Sequence, residues 1–185
     1  MPNFVNFKNK WQFHPLPVVV IGSYNSKKIP NAMTAAWSTI YDYGQVFVSL
    51  DPNHLTSKNI LKTKAFTLAF ATKKTIVFAD YFGIVSGKKI NKIKTAKISY
   101  HHAKYVNAPI FDIFPLSLEC KVISFNEGNL IGKVVNMVVD KTYVDKNNKI
   151  NTKAMGFVTY NMNNHTYCDL GQNFAKAFKI GKKIK

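Results

Sequence analysis

The sequence predicts a mainly β protein, a Greek-key-like antiparallel barrel with a few short helices at its flanks. Short runs of β-branched or alternating apolar residues recur along the chain, as is typical of strands. Clusters of glycine, asparagine and proline separate these runs and favour tight turns. Helical periodicity is confined to short stretches, so alternating βαβ units are not expected.

Five strands and two hairpins can be located from the residue pattern. The strands are expected over residues 17–24, 45–50, 65–71, 116–125 and 129–140. The last two flank the turn Asn126-Glu127-Gly128, a strong hairpin signal. A second hairpin is expected to turn over residues 145–149, a polar run that tolerates left-handed backbone angles.

Three short helices are expected beside these strands. The first has Thr56 or Ser57 as its cap, because a hydroxyl there can accept a hydrogen bond from a free amide. The second and third are expected over residues 76–83 and 173–180, ended by Gly83 and Gly181.

Length and hydropathy predict one domain over residues 1–185. No apolar run approaches the roughly 20 residues that a membrane span needs, and the start of the chain has no uninterrupted apolar region. We therefore expect a cytoplasmic protein with no membrane partner. Cys120 and Cys168 are too few and too far apart for a disulfide framework, so reduced and mostly buried thiols are expected.

The formal net charge of +17 raises the hypothesis of a nucleic-acid-binding protein. All 26 basic residues are lysine, however, and arginine is the residue that clamps phosphates and guanine edges in a bidentate way. The charge is also spread along the chain. We therefore expect no nucleic-acid partner, and a solvated surface that attracts anionic ligands.

Familiar catalytic motifs are missing from the sequence. The stretch GIVSGKK, residues 83–89, has three residues between its glycines where a Walker A loop has four, and no Ser or Thr follows its lysine. His101 and His102 are adjacent and lack a nearby cysteine or acidic partner, so no metal site is expected. No catalytic side chain can be assigned with certainty, and the chemistry is expected to belong to a bound cofactor.

The stretch NAMTAAW, residues 31–37, combines small side chains with a tryptophan. Such a stretch can bring backbone N–H groups close to the polar edge of an isoalloxazine ring and place an apolar wall beneath it. The stretch SLDPNHLTSKN, residues 49–59, offers hydroxyls, a histidine and a lysine near a helix start, where free amides favour a phosphate. An ordinary core segment would also account for the small residues.

The chain resembles the flavin reductase-like family, the FMN-binding split barrels that include flavoredoxins and NAD(P)H-dependent flavin reductases. The family patterns P-x-P-V, N-x-M-T-x-A-W, V-x-V-S-L and T-x-x-N-I occur here in order. The likeness continues through ADYFGIVSGKKINKIK, PLSLECKV, GKVVNMVVD and YCDLG, and so covers nearly the whole chain. It implies an FMN-binding split β-barrel that forms homodimers, with the flavin near the interface.

The resemblance also implies the residues that hold FMN. Residues 31–37 would line the ring, with amides of Met33, Thr34 and Ala35 on its polar edge. The full expected set is Asn31, Ala32, Met33, Thr34, Ala35, Ala36, Trp37, Ser49, Leu50, His54, Thr56, Asn59, Ser86, Gly87 and Lys92. His54, Thr56 and Asn59 would lie toward the phosphate, and Ser86, Gly87 and Lys92 would form a covering loop from this subunit or its partner.

Three positions leave alternatives open. Many relatives use arginine for the phosphate, and this chain has none, so His54 or a lysine must substitute. His165 matches a region where some reductases place a histidine beside the nicotinamide, and an ordinary surface histidine fits as well. Trp37 suits either the barrel core or the flavin site.

Three functions follow from these expectations. The first is an FMN-containing oxidoreductase that takes hydride from NADH or NADPH and reduces flavin. The second is a flavoredoxin-type FMN electron carrier without a pyridine nucleotide site, whose partner is an acidic redox protein suited to the lysine-rich surface. The third is a nucleic-acid-binding barrel without flavin.

Overall fold

The computed structural model describes residues 3–184. Strands dominate, and the helices are short. The strands are β1 Leu16–Pro17, β2 Val19–Tyr24, β3 Pro30–Ala35, β4 Ser38–Asp42, β5 Gln45–Ser49, β6 Ala65–Phe70, β7 Tyr100–His102, β8 Pro109–Phe111, β9 Leu116–Asn126, β10 Asn129–Val139, β11 Val158–Asn161 and β12 Thr166–Asp169. The α-helices are α1 Leu55–Thr63, α2 Ile76–Ile84, α3 Lys92–Thr95 and α4 Thr152–Met155, and two 3₁₀ turns span Lys141–Tyr143 and Ile180–Lys183.

Seven strands form one antiparallel sheet in the order β3-β2-β6-β9-β10-β5-β4. Its two edge strands, β3 and β4, are consecutive in the chain and are separated only by Ala36 and Trp37. The sheet must therefore curl until its two edges approach each other, which gives the barrel that the sequence predicts. β1, β11 and β12 form a second sheet, and β7 pairs with β8.

The predicted strands and hairpins agree well with the structure. β9 and β10 are joined by Glu127 and Gly128, with φ of 50° and 89°, so the tight hairpin is confirmed. The turn over residues 145–149 is closed by a bridge between Val144 and Ile150. The strands β3 and β4 were not predicted, because residues 31–37 carry no alternation of apolar and polar side chains.

The predicted helix ends need correction. Thr56 and Ser57 lie inside α1, whose cap is His54 and makes no side-chain capping bond. Gly83 does not end α2, which runs on to Ile84 with an extended residue after it. These ends are set by tertiary packing, which residue preferences alone do not report.

The helix predicted over residues 173–180 is wrong, since only the 3₁₀ turn Ile180–Lys183 is present there. Phe174 and Phe178 are 95% and 98% exposed, so the apolar face that a helix would form has nothing to pack against. A helix this short is marginal in water without tertiary contacts.

Two of the three buried apolar clusters in the described residues lie on opposite faces of β2, and the third packs around Ala65, Val106 and Ile110. Val18 and Val20 pack with α2 and Phe111 on one side. Val19 and Ile21 pack on the other side, inside the curl of the sheet, with Phe66. Alternation along an extended chain explains why four consecutive apolar residues serve two different clusters.

Both cysteines are free thiols, as expected. Cys120 is buried, and burial raises the pKa of its thiol to about 12. Cys168 is exposed, so the expectation of mostly buried thiols holds only for Cys120. No helix between residues 3 and 184 has the length and apolarity to cross a membrane.

Glu119 is a buried carboxylate that anchors the loop between β7 and β8. Its carboxylate accepts hydrogen bonds from the backbone N–H of Tyr105 at 2.7 Å and from the side-chain amide of Asn136 at 2.8 Å. The side chain is 0% exposed, so these bonds replace those that water would make.

We predict that Glu119→Gln lowers the free energy of unfolding by about 1–3 kcal/mol, because an amide cannot accept all of these N–H groups. Urea denaturation measures the change. Glu127→Gln, in the exposed β9–β10 turn, is the matched control and should change stability by less than about 0.5 kcal/mol. Equal effects of the two substitutions would contradict the anchoring role.

Candidate functional site

A cleft with a volume of about 370 Å³ lies between the edge strand β3, the start of α1, and the end of α2 with the loop after it. This volume falls within the range of roughly 300–1,000 Å³ that small-molecule pockets occupy. The lining residues are Asn31, Met33, Thr34, Ala35, Ala36, Trp37, Ser49, Leu50, Asp51, His54, Leu55, Thr56, Phe82, Gly83, Ile84, Val85, Ser86, Gly87, Lys88 and Lys92.

β3 is an edge strand, so the backbone groups on its outer side have no neighbouring strand. The carbonyl of Ala32 faces this outer side, because it accepts a hydrogen bond from the Lys92 ammonium. In an antiparallel strand, the N–H and C=O of one residue face the same side, and successive residues alternate. The backbone of Thr34 therefore also faces outward, whereas Met33 and Ala35 face β2.

This alternation revises one prediction from the sequence. Amides of Met33, Thr34 and Ala35 cannot all meet one ligand edge, because the first and last point toward the paired strand. The amide of Thr34 is left for a ligand. Its side-chain hydroxyl donates to the carbonyl of Ala79, which holds β3 against α2.

Lys92 is the buried cation of the cleft. Its side chain is 5% exposed, and Nζ donates to the carbonyls of Ala32 at 2.9 Å and Phe82 at 2.7 Å. Burial lowers the pKa of the ammonium from 10.5 to about 8. Among residues 3–184 no carboxylate forms an ion pair with it, so a bound anion would be its natural partner.

The loop after α2 approaches β3 closely at Gly87. A Cβ added at Gly87 would lie 2.2 Å from Oδ1 of Asn31 and 3.2 Å from Leu55. Asn31 in turn donates from its side-chain amide to the hydroxyl of Thr56 at 2.7 Å. Strand β3, helix α1 and the loop are therefore fixed to one another at the floor of the cleft.

The start of α1 supplies the part of the cleft that suits an anion. The first amides of a helix have no partner within the helix, and α1 begins at Leu55 beside the cleft. Asp51 stands at the same end, 3.9 Å from His54. Its carboxyl pKa is lowered, mainly by a hydrogen bond from the backbone of Asn53, so it is anionic and opposes a phosphate placed next to it.

Trp37 forms an exposed wall of the cleft and does not belong to the barrel core. It is 54% exposed and meets Trp11 in an edge-on contact, with ring centroids 6.0 Å apart. The N-terminal segment therefore reaches the cleft at Trp37. The exposure of Trp37 excludes the barrel-core alternative, and its contact with the flavin stays a prediction.

Thirteen of the fifteen predicted ligand residues line this cleft, all except Ala32 and Asn59. Ala32 is 0% exposed and its side chain packs in the core. Its part in the site is limited to its backbone carbonyl, which accepts a hydrogen bond from Lys92. Asn59 is 4% exposed, and its amide donates to the hydroxyl of Ser23 at 3.2 Å. Ser86, Gly87 and Lys92 reach the cleft of their own chain.

His165 lies outside the residues that line the cleft. It sits in the turn between β11 and β12, is exposed, and shares a hydrogen bond of 2.6 Å with the Tyr160 hydroxyl. The same hairpin is tied to α2 by Tyr167, whose hydroxyl donates to Asp80 at 2.5 Å. His165 is therefore an exposed residue outside the cleft lining, and a place beside a nicotinamide stays a prediction.

Sequence reasoning missed seven lining residues. They are Asp51, Leu55, Phe82, Gly83, Ile84, Val85 and Lys88. Most are contiguous with predicted positions, and FGIV directly precedes Ser86. Continuity with the motif was therefore the signal that could have identified them. The described residues contain no cluster of three or more His, Cys, Asp or Glu side chains that could hold a metal ion.

The arrangement can hold a flat, partly polar ring against an outward-facing backbone amide, with a buried cation nearby. It offers no nucleophile paired with a base, because the ionisable groups in the lining are Asp51, His54, Lys88 and Lys92 and only the first two are close. Binding and charge stabilisation are therefore the tasks that these side chains suit.

Comparison with solved structures finds flavoredoxins. The flavoredoxin of Desulfovibrio vulgaris (Miyazaki F) is 26% identical with a TM-score of 0.91, over 97% of this chain and 100% of that one. The flavoredoxin from Methanosarcina acetivorans is 24% identical with a TM-score of 0.88, and both chains are covered completely. An FMN-binding protein from Thermus thermophilus is 17% identical with a TM-score of 0.74, over 95% of this chain and 98% of that one.

The split barrel predicted from the sequence is confirmed as the fold, since a further structural match carries a split barrel domain. No curated protein matches the sequence. The family model for the flavin reductase like domain matches residues 11–171. This chain therefore belongs to the flavin reductase-like domain family.

Proposed function

We propose that this protein binds FMN in the cleft beside β3 and serves as an electron carrier of the flavoredoxin type. The observation that carries the proposal is the outward-facing edge of β3, with the Thr34 amide and the buried Lys92 ammonium on the same side. The likeness to two flavoredoxins over nearly the whole chain supports it.

The residues present fit an isoalloxazine ring. Met33, Ala35 and Trp37 offer apolar surface, and the Thr34 amide offers a donor to the polar edge of the ring. When bound, the flavin would supply reversible transfer of electrons and hydride. The chain would orient the ring and exclude water from one of its faces.

Lys92 is proposed to stabilise negative charge on the ligand. Its ammonium is held by two carbonyls and cannot swing away, so its charge is already positioned before the ligand binds. A fixed cation of this kind would favour a reduced, anionic flavin and so raise the reduction potential of the bound cofactor.

The phosphate is proposed to lie at the start of α1, with His54 and Lys88 in place of the missing arginine. Both side chains line the cleft near the free amides of the helix. The Thr56 hydroxyl accepts from Asn31 and still has its own O–H to donate, so Thr56 is kept as a proposed phosphate ligand. Asn59 is buried, donates to Ser23 and lies outside the cleft lining, so we do not assign it as a phosphate ligand.

A NAD(P)H-dependent flavin reductase is the second candidate, because the family model that matches is that of the flavin reductase like domain. In that case NADH or NADPH would deliver hydride to the flavin. No side chain would have to act as an acid or base, and His165, outside the cleft lining, would have no part in the reaction.

We further propose a cytoplasmic homodimer. Large apolar side chains are exposed in the N-terminal segment, in β4 and in the turn after it, where Trp11, Ile40 and Tyr43 are 63%, 78% and 98% exposed. Exposed apolar side chains of this size are typical of an interface. The two free thiols suit a reducing compartment.

Thr34→Trp is predicted to abolish FMN binding, because the indole is too large for the space that the Thr34 side chain occupies beside α2 and would extend into the cleft. Quenching of FMN fluorescence on titration measures binding, and circular dichroism confirms the fold. Thr152→Trp, on the exposed surface of α4, is the matched control and should bind like the native protein. Unchanged FMN affinity in Thr34→Trp would contradict the placement of the ring.

The affinity for reduced FMN, whose ring is anionic, is predicted to fall by up to roughly tenfold between pH 7 and pH 9. The reason is that the Lys92 pKa of about 8 makes the ammonium lose its proton in this window, and an anionic ring prefers the protonated form. Lys92→Met should bind reduced FMN more weakly and show no such dependence. A native affinity for reduced FMN that is constant from pH 7 to pH 9 would exclude the contact.

Without oxygen, the FMN-loaded protein is predicted to keep its yellow colour in NADH or NADPH and to lose it on chemical reduction with dithionite. Absorbance near the flavin bands follows both reactions. Rapid loss of the colour with either nucleotide would contradict the electron-carrier function and favour the flavin reductase.

A further inference from the structure

A basic surface with an apolar centre extends from the cleft. It includes two further hollows, of about 280 Å³ and 410 Å³. The first shares Asn31, Leu55, Gly87, Lys88 and Lys92 with the cleft. The second shares Ile29, Pro30 and Asn91 with the first. The surface is therefore continuous with the place where we put the flavin.

Five exposed lysines line these hollows, and we call them the lysine rim. They are Lys28, Lys88, Lys89, Lys94 and Lys97. The chain has no acidic residue from position 81 to position 111, where four of the five lie. Across residues 3–184, the single ion pair between a lysine and a carboxylate is Lys73–Asp169, away from this surface. None of the five lysines forms an ion pair, and of the five only Lys88 faces the charge of Asp51, so the rim keeps a net positive charge.

Apolar side chains lie between these lysines. Ile29 and Ile90 are each 41% exposed, and Tyr100 is 43% exposed. Aliphatic groups left in water inside a ring of charge match the anatomy of a protein interface, which has an apolar centre and a polar rim. A surface whose charges served only for solubility would not need these exposed apolar side chains.

We propose that this surface docks an acidic electron-transfer protein, with Ile29 and Ile90 at the centre of the contact and the lysine rim around it. The proposal deepens the proposed function, because it rests on a flavin in the adjoining cleft and names the partner that exchanges electrons with it. Docking here would bring a partner to the loop that borders the flavin.

Charge argues against the other occupants of this surface. In a symmetric dimer the same patch would meet itself, so two lysine rims would be pressed together. Nucleic acid is disfavoured because the chain lacks arginine and because two of the three central side chains are isoleucines, which cannot stack on bases. An acidic protein surface satisfies both the charge and the apolar centre.

The test uses an acidic plant-type [2Fe–2S] ferredoxin as the probe partner. Binding to the FMN-loaded protein is measured by calorimetry and by ¹⁵N chemical-shift mapping at low and high salt. Lys89→Gln with Lys94→Gln removes two rim charges, and neither residue lines the flavin cleft. The matched control, Lys146→Gln with Lys153→Gln, removes two exposed charges from a segment that lines none of the three cavities.

The rim variant is expected to bind ferredoxin at least about fivefold more weakly and with a shallower salt dependence, with FMN affinity unchanged. The control variant should match the native protein. In an anaerobic electron-transfer assay, two reduced clusters each lose one electron for every FMN that takes up two electrons and protons from solvent. That rate should fall in the rim variant in the same proportion as the affinity.

Several results would overturn the proposal. They are equal losses in the two variants, no ferredoxin binding at low salt, a dimer that dissociates only in the rim variant, or duplex DNA that binds more tightly through the same lysines. If FMN itself fails to bind, the proposed function falls. The shift mapping still tests the surface in that case, because it needs no flavin.

Discussion

The open edge of β3 is the constraint on which the site depends. An edge strand would normally have to be covered or paired, since its free amides and carbonyls cost energy when they are buried without partners. In this protein the Lys92 ammonium donates a hydrogen bond to the carbonyl of Ala32, and the backbone amide of Thr34 points away from β2. The curl of the sheet keeps this edge beside α1 and α2, so the outer side of β3 forms one wall of a cleft.

All basic residues of the chain are lysines, and they act electrostatically both in the buried part of the cleft and on the exposed surface. Lys92 is buried, carries a lowered pKa and is fixed by two carbonyls, so it can act on a ligand at short range. The lysine rim is hydrated and acts at long range, through attraction that salt screens. Arginine would supply bidentate contacts to a phosphate, and in its absence we propose that His54, Lys88 and the free amides at the start of α1 take that task.

Local patterns predicted the fold well where local physics decides it. The β9–β10 hairpin follows from Glu127 and Gly128, whose backbone angles select a tight turn. The residue pattern could not decide whether residues 173–180 form a helix, because a helix this short is stable only when its apolar face packs against other elements, and the sequence does not show whether such partners exist. The motifs predicted most of the residues that line the cleft. The opposite directions of the neighbouring amides at Met33 and Thr34 follow only from the pairing of β2 with β3, which the motifs do not report.

Amide spectra of ¹⁵N-labelled protein, recorded with and without FMN, test the central claim most directly. Without ligand, the amides of Met33 and Ala35 should exchange slowly with solvent and that of Thr34 quickly. Addition of FMN should shift and protect the Thr34 amide far more than its two neighbours. A Thr34 amide that is already protected in the free protein, and that FMN leaves unmoved, would contradict the account.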